Sequence, residues 1–443
     1  MASAAEQLAA NINFGALGKA EDLKKRLWFT LGALIVYRLG TYIPVPGIDP
    51  AQLAQLAAQN ATGILGWVDN LAGGALGRMA IFALNIMPYI SASIIMQLMT
   101  TVSPQLEALK KEGEQGRKKI NQYTRYFTVV LAALQAYGIA IGLEGQGGVV
   151  IDPGWFFRAS TVITLTGGTV FLMWLGEQIT ARGIGNGISL IIFAGIVANL
   201  PFGIAGLLEL ARQGKVSPFL VMGIIVMSAA AIAFIVFVER AQRRLLIQYP
   251  KRQVANKMTS GESSHLPLKL NTSGVIPPIF ASSLLLLPIT VANFSAGQGP
   301  DWLNTITALL GHGQPLYLLL FAILIAFFAF FYTSIMFNPK ETAENLKKYG
   351  GFIPGYRPGD QTATYIDYVL TRITVIGALY LVLVCLLPEF LIGYGGLPFY
   401  FGGTTLLIAV SVPMDTVSQI QGHLMAQQYE GLIKKSKLRG VKR

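Results

Sequence analysis

Apolar runs of about twenty residues recur along the chain with polar stretches between them, each run long enough to cross a hydrocarbon core of roughly 30 Å. A segment inside lipid must satisfy its own backbone groups, so each run is predicted to be a helix. We read about ten spans, at 27–43, 79–102, 126–143, 161–179, 187–208, 219–238, 275–291, 316–337, 369–387 and 401–420. The fifth is Gly-rich and interrupted at Pro201. The predicted fold class is therefore an all-α polytopic membrane protein. An even number of spans puts both termini on the same side.

Composition agrees. Hydrophobic residues make up 53% of the 443 positions and charged residues 13%, against about 25% charged in a soluble domain. The formal net charge of +12 would point to nucleic acid in a soluble protein, but here its distribution sets topology. Lys110, Lys111, Arg117, Lys118 and Lys119 follow the second span, Arg240, Arg243, Arg244, Lys251, Arg252 and Lys257 the sixth, and Lys340, Lys347, Lys348 and Arg357 the eighth. The intervening loops carry few basic residues, among them Arg78, Arg158, Arg212 and Lys215. Basic loops stay in the cytoplasm, which places both termini there. Residues 1–26 form a cytoplasmic N-terminal segment and 421–443 a basic cytoplasmic tail. Lys24, Lys25 and Arg26 before the first run resemble a signal n-region, but no small-x-small cleavage site closes that run, so it is read as a retained span.

Two cytoplasmic loops, 239–272 and 338–366, are longer than topology needs and basic, which suits docking of a large partner. The second carries Gly350, Gly351, Pro354, Gly355, Pro358 and Gly359 among aromatics, and is expected to be ordered. The stretch 62–77 is too short, and at Asp69-Asn70 too polar, to span. It reads either as an interfacial loop or as a short re-entrant helix, which is tolerated only where protein or a water-filled cavity surrounds it. Five spans per half, 27–208 and 209–420, allow an inverted repeat.

Several chemistries find no residues. No G-x-x-x-x-G-K-[ST] loop and no H-E-x-x-H motif occurs, and His265, His312 and His423 lie far apart. Gly183-Ile184-Gly185-Asn186-Gly187 lies between two spans with no strand before it, so it reads as a tight turn rather than a dinucleotide loop. Cys385 is the single cysteine, which excludes an intrachain disulfide. Few charges fall within spans, among them Arg38, and Glu177 and Asp415 near cytoplasmic ends. An ion-coupled transporter would carry more. These absences predict no catalytic residue, no metal and no cofactor.

Specific segments point further. Tyr42-Ile43-Pro44-Val45-Pro46-Gly47-Ile48-Asp49, Ile86-Met87-Pro88-Tyr89-Ile90-Ser91-Ala92-Ser93, Trp174-Leu175-Gly176-Glu177-Gln178-Ile179-Thr180 leading into Gly183–Ser189, His265-Leu266-Pro267-Leu268-Lys269 and Pro398-Phe399-Tyr400-Phe401-Gly402-Gly403-Thr404 occur in the order found in the SecY family, which the chain resembles from about Lys24 to Leu438. The resemblance implies a protein-conducting channel of two five-helix halves without a reaction of its own. It implies SecE-like and SecG-like membrane subunits, a SecA-like motor ATPase or a ribosome on the cytoplasmic face, and signal peptides, secretory polypeptides and the lipid bilayer as further partners.

It also implies sites. A pore ring falls on Ile86, Ile90, Ile188, Ile192, Ile279 and Ile408, and i, i+4 spacing lets spans two and five each present two isoleucines to one axis. Read without the resemblance, such isoleucines face lipid or pack. An apolar constriction excludes water and ions by dewetting. The plug falls on 62–77, with Ile64, Leu65, Trp67, Val68, Asp69, Asn70 and Leu71. The lateral gate falls between spans two and three on one side and seven and eight on the other. Gln97, Gln135 and Ser282 are its polar candidates, with interhelical hydrogen bonds as the alternative role. Partner docking falls on Arg240, Arg243, Arg244 and Arg357. Two positions depart from the usual pattern: Asn85 stands where a glycine often precedes Ile-Met-Pro, and Pro277-Pro278 opens span seven.

Overall fold

A computed structural model describes residues 21–59, 69, 72–145, 148–214, 217–249, 253–254, 257–258, 263–294, 314–395 and 402–440. The chain divides into two compact units, one of Met1–Gly206, Leu287–Ala308 and Ile408–Arg443, the other of Leu207–Leu286 and Leu309–Leu407.

The first unit opens with α1 (Glu21–Gly40), followed by α2 (Pro50–Gln59), α3 (Met87–Val102), α4 (Pro104–Lys111), α5 (Glu114–Glu144), α6 (Trp155–Arg182) and most of α7 (Gly187–Arg212). In α1, Leu23, Thr30, Ala33, Tyr37 and Gly40 are buried at helical spacing, while Trp28, Leu31, Ile35 and Leu39 are exposed apolar groups suited to lipid. Helix α5 packs along both α3 and α6. Its buried face carries Ala132, Ala136 and Ala140, and side chains this small let helices approach closely. Tyr37, Phe82 and Phe171 stack in sequence, joining α1 to α6 through the segment before α3.

Three elements differ from expectation. Helix α3, the second predicted span, begins at Met87, not near 79, because Met79 and Asn85 adopt left-handed backbone angles of 42° and 50° and a continuous helix cannot pass through them. The residues before it instead bridge Pro44 to Ala80. Helix α5 starts at Glu114, well ahead of the apolar run. Helix α7 runs through Pro201 without a break. A proline removes one helical donor, which membrane helices accommodate by local adjustment.

The second unit holds the end of α7, then α8 (Pro218–Arg240), strands β1 (Gln242–Gln248), β2 (Gln253–Val254), β3 (Lys257–Met258) and β4 (Ser263–Lys269), and the first part of α9 (Ile276–Phe294). It continues with α10 (Pro315–Met336), α11 (Pro339–Lys348), α12 (Asp360–Gly395) and the start of α13 (Gly403–Gly440). The loop 239–272 is therefore not structureless. Its outer strands β1 and β4 pair antiparallel from Gln242↔Lys269 to Gln248↔Ser263, and β2 pairs β3. Helices α10 and α12 pack together, and Phe280 of α9 meets Phe328 and Tyr332 of α10 edge-on. A side chain at Gly403 would collide with the Val384 carbonyl and the Cys385 backbone, so the start of α13 lies tightly against α12.

Among the described residues, α5, α6, α7, α8, α10 and α12 are long and apolar enough to cross a membrane, and α3 and the start of α9 are shorter apolar helices. Helix α1 falls outside that group because charged residues crowd its first turns, and α13 because threonine, serine and glutamine interrupt its apolar run.

Candidate functional site

The isoleucines singled out from the sequence sit at helix beginnings. Ile86 is the N-cap of α3, and its carbonyl accepts the Ile90 amide at 3.1 Å. Pro88 occupies the first turn, where its missing N–H costs nothing. The left-handed turn at Asn85 aims this start, which explains an asparagine where a glycine is usual: both tolerate positive φ. Ile188 and Ile192 lie in the first turns of α7, Ile279 in the first turn of α9, and Ile408 in the second turn of α13. Ile86 and Ile408 are 0% and 1% exposed, Ile90 and Ile192 are buried, and Ile188 and Ile279 are half-buried. Phe219 and Phe237 of α8, by contrast, are 82% and 74% exposed. Ile86, Ile90, Ile192 and Ile408 thus do not face lipid.

Of the residues assigned to the plug, Ile64, Leu65, Trp67, Val68, Asn70 and Leu71 lie outside the described residues. Asp69 is described. Its Oδ1 accepts the Gly77 amide at 2.7 Å and its carbonyl the Gly74 amide at 2.8 Å. Burial pushes its carboxyl above the ordinary range, opposed by the Gly77 amide. The chain beyond it is clamped by residues that sequence reasoning did not connect. Arg38 Nη1 and Arg78 Nη2 both donate to the Gly73 carbonyl, at 3.1 and 2.9 Å, and Arg78 Nε donates to the Gly74 carbonyl at 2.8 Å. Tyr37 donates to the Ala72 carbonyl at 3.3 Å. Gly73 and Gly74 both have positive φ, which exposes successive carbonyls to the guanidinium groups. Both arginines also lie over the Tyr42 ring. The signal available in the sequence was a lone arginine inside a span.

Gln97 donates to Ser93 Oγ at 3.2 Å and Ser282 to the Ile279 carbonyl at 2.9 Å. Each bond stays within its own helix, so neither is the interhelical bond that offered the alternative role. Gln135 is half-buried on α5. Glu177 forms a two-pronged pair with Arg125, Nε to Oε1 at 2.9 Å and Nη2 to Oε2 at 2.8 Å, which ties α5 to α6.

The two long loops meet. Gln248 and Phe352 exchange backbone hydrogen bonds of 2.9 and 3.0 Å. Leu245, Leu268, Ile353, Ile366 and Ile373 form one buried cluster that includes both loops and α12. Strand β1 alternates, with Leu245 and Ile247 buried on one face and Arg244 and Leu246 exposed on the other, while Arg243, near the start of the strand, is exposed as well. Tyr356 stacks on Tyr365 with centroids 4.0 Å apart, and the Arg357 carbonyl accepts from Thr362 at 2.9 Å. The backbone of Arg357 is thereby fixed and its side chain exposed. Arg240 is exposed at the end of α8.

The SecY family model matches residues 80–417. The protein translocase subunit SecY of Rickettsia conorii is 57% identical over 422 residues, covering 94% of this chain and 97% of the relative. That of Escherichia coli K12 is 56% identical over 432 residues, covering 97% and 98%. Among solved structures, a protein-conducting channel aligns with a TM-score of 0.65 at 18% identity, covering 90% of this chain and 92% of that one. Sec61 in the canine ribosome-channel complex from the endoplasmic reticulum aligns at 0.62 and 18%, covering 90% and 92%. At these identities the structures speak to the fold.

Proposed function

The chain belongs to the SecY family, and from that premise we propose that it forms the channel through which unfolded secretory polypeptides cross a membrane and from which membrane segments leave sideways into lipid. The observation that carries this reading is the burial of Ile86, Ile90, Ile192 and Ile408 at the starts of three helices. Together with Ile188 and Ile279 they form the proposed constriction. Its walls offer no directional bonds, so a polypeptide of any sequence can pass while water and ions are excluded by dewetting.

The remaining assignments follow the same premise. Helices α1 and α13, with the eight apolar helices, make up ten spans in halves 27–208 and 209–420, with both termini cytoplasmic in a bacterial cytoplasmic membrane. Segment 62–77 is the plug, and Gln97, Gln135 and Ser282 belong to the lateral gate. Arg240, Arg243, Arg244 and Arg357 dock a SecA-like motor or a ribosome, and SecE-like and SecG-like subunits complete the assembly. The channel is passive and its partner supplies the energy.

The test is Ile408→Asn. An amide in a dry constriction costs on the order of 1–3 kcal/mol unpaired, so the closed state loses ground to the open one. The variant is expected to export a reporter with a defective signal sequence and to leak small ions at normal protein level. Unchanged stringency at normal protein level removes Ile408 from the pore.

A further inference from the structure

The turn between α6 and α7 is held by side chains from three helices of the first unit. The Ile184 amide donates to Thr30 Oγ1 of α1 at 3.1 Å. The Gly185 amide donates to Gln419 Oε1 of α13 at 2.9 Å, and the Gly187 amide to Thr180 Oγ1 of α6 at 2.9 Å. The Ile188 amide is taken within the turn by Asn186 Oδ1 at 3.1 Å. Both threonine hydroxyls are oriented for this task. Thr30 donates its proton to the Arg26 carbonyl at 3.0 Å and Thr180 to the Gly176 carbonyl at 2.9 Å, which leaves an oxygen lone pair for the turn. Arg26 Nη1 donates to the Gly183 carbonyl at 3.3 Å. Leu23, Ile184 and Leu424 close an apolar cluster beside these bonds, with Leu27 and Ile420 against it.

Two of these bonds are not demanded by the turn itself. Thr30 is 154 residues from Ile184, and Gln419 is 234 residues from Gly185. They join the first and last described helices of the chain to the turn that leads into α7. The bond at Gln419 also has a direction. Gln419 follows Ile408 by three turns of a regular helix, so the two lie within about 20° of each other around the axis of α13, which continues through Pro413 between them. A hydrogen bond that fixes the rotation of α13 at Gln419 fixes the aim of Ile408. The amides of Gly187 and Ile188 fix in the same way the start of α7, whose first two turns carry Ile188 and Ile192.

We propose that Thr30 and Gln419 are positioning residues that hold the α6–α7 turn against α1 and α13 and so keep Ile188, Ile192 and Ile408 in the closed arrangement. The proposal rests on the reading of these isoleucines as the pore ring. Neither residue touches a translocating chain. Their effect is on the balance between closed and open states, where the loss of one neutral hydrogen bond corresponds to a shift of about five-fold.

The experiment compares removal of the acceptor with its conservation. Thr30→Val and Gln419→Leu keep size and remove the acceptor; Thr30→Ser and Gln419→Glu keep it. Each variant is expressed as the sole copy of the channel, beside Ile408→Asn, and export of a signal-defective reporter is measured with steady-state protein level. The expected result is about a five-fold rise in reporter export for Thr30→Val and Gln419→Leu at normal protein level, with Thr30→Ser and Gln419→Glu close to wild type. Unchanged export in the first pair while Ile408→Asn raises it overturns the proposal and leaves the ring reading intact. Unchanged export in all three overturns both. A fall in protein level without a change in export per molecule also overturns the proposal, since it assigns these residues to folding alone.

Discussion

Gln248, at the end of strand β1, and Phe352, beyond helix α11, each donate their amide to the other's carbonyl, so two long loops whose residues are more than one hundred positions apart share one antiparallel bridge. Phe352 stands five residues before Arg357, and Arg244 stands four residues before Gln248. The bridge therefore carries the basic groups of both loops on one framework, backed by the cluster around Leu245 and Ile353.

From this framework, Arg357→Glu is expected to insert and fold normally, because the side chain is exposed and only its carbonyl is used internally. Motor-driven translocation into reconstituted vesicles should fall by about ten-fold or more, since a reversed charge at a docking surface opposes its partner. Normal translocation would remove Arg357 from the docking surface.

Two glycines of α7 make a paired test of packing. A Cβ at Gly187 would fall on the Gly176 carbonyl and against Ile179, whereas one at Gly206 meets nothing within 4 Å. Gly187→Ala should destabilise the fold by about 1–3 kcal/mol through overpacking. Gly206→Ala should be neutral or slightly stabilising because alanine is the better helix former. Thermal unfolding in detergent reads both, and equal effects would contradict the close α6–α7 approach.

Asp69 gives a pH dependence with a definite sign. Burial holds its folded-state value above the ordinary carboxylate one. The stability it contributes is then full below the ordinary value, roughly pH 4, and is lost as pH rises through the raised folded value. Protection of the amides of residues 72–80, as exchange rate relative to the intrinsic rate at each pH, should be greater in mild acid than at neutral pH. Asp69→Asn keeps an oxygen for the Gly77 amide and removes the charge, so the variant should lose this dependence. Identical profiles for the two proteins would contradict the assignment.

The order and placement of the apolar helices were legible because lipid leaves the backbone no alternative to the helix over a long apolar run. The late start of α3 was not, because it depends on left-handed angles at Met79 and Asn85, residues whose names do not announce them. Pro201 read as a break and is not one, since local propensity yields to the surrounding helix. The β1–β4 ribbon needed a register between distant residues that no local pattern specifies. In the candidate site, the isoleucines were singled out through motif resemblance, whereas Thr30, Gln419 and Arg38 act on backbone groups far along the chain and leave almost no local signal.

The most direct measurement of the central claim is cross-linking to a polypeptide arrested in transit. Cys385 is the single cysteine, and it is buried, so after Cys385→Ser a cysteine placed at 408 is the only thiol in the chain. Single cysteines at 86, 90, 188, 192, 279 and 408 are compared with one at 237, where Phe237 is exposed on α8. If the isoleucines line the conducting path, an arrested secretory chain carrying a cysteine at the corresponding depth forms disulfides with positions 86, 90, 188, 192, 279 and 408 and not with 237. Cross-linking at 237 alone, or at none of the six, would contradict it.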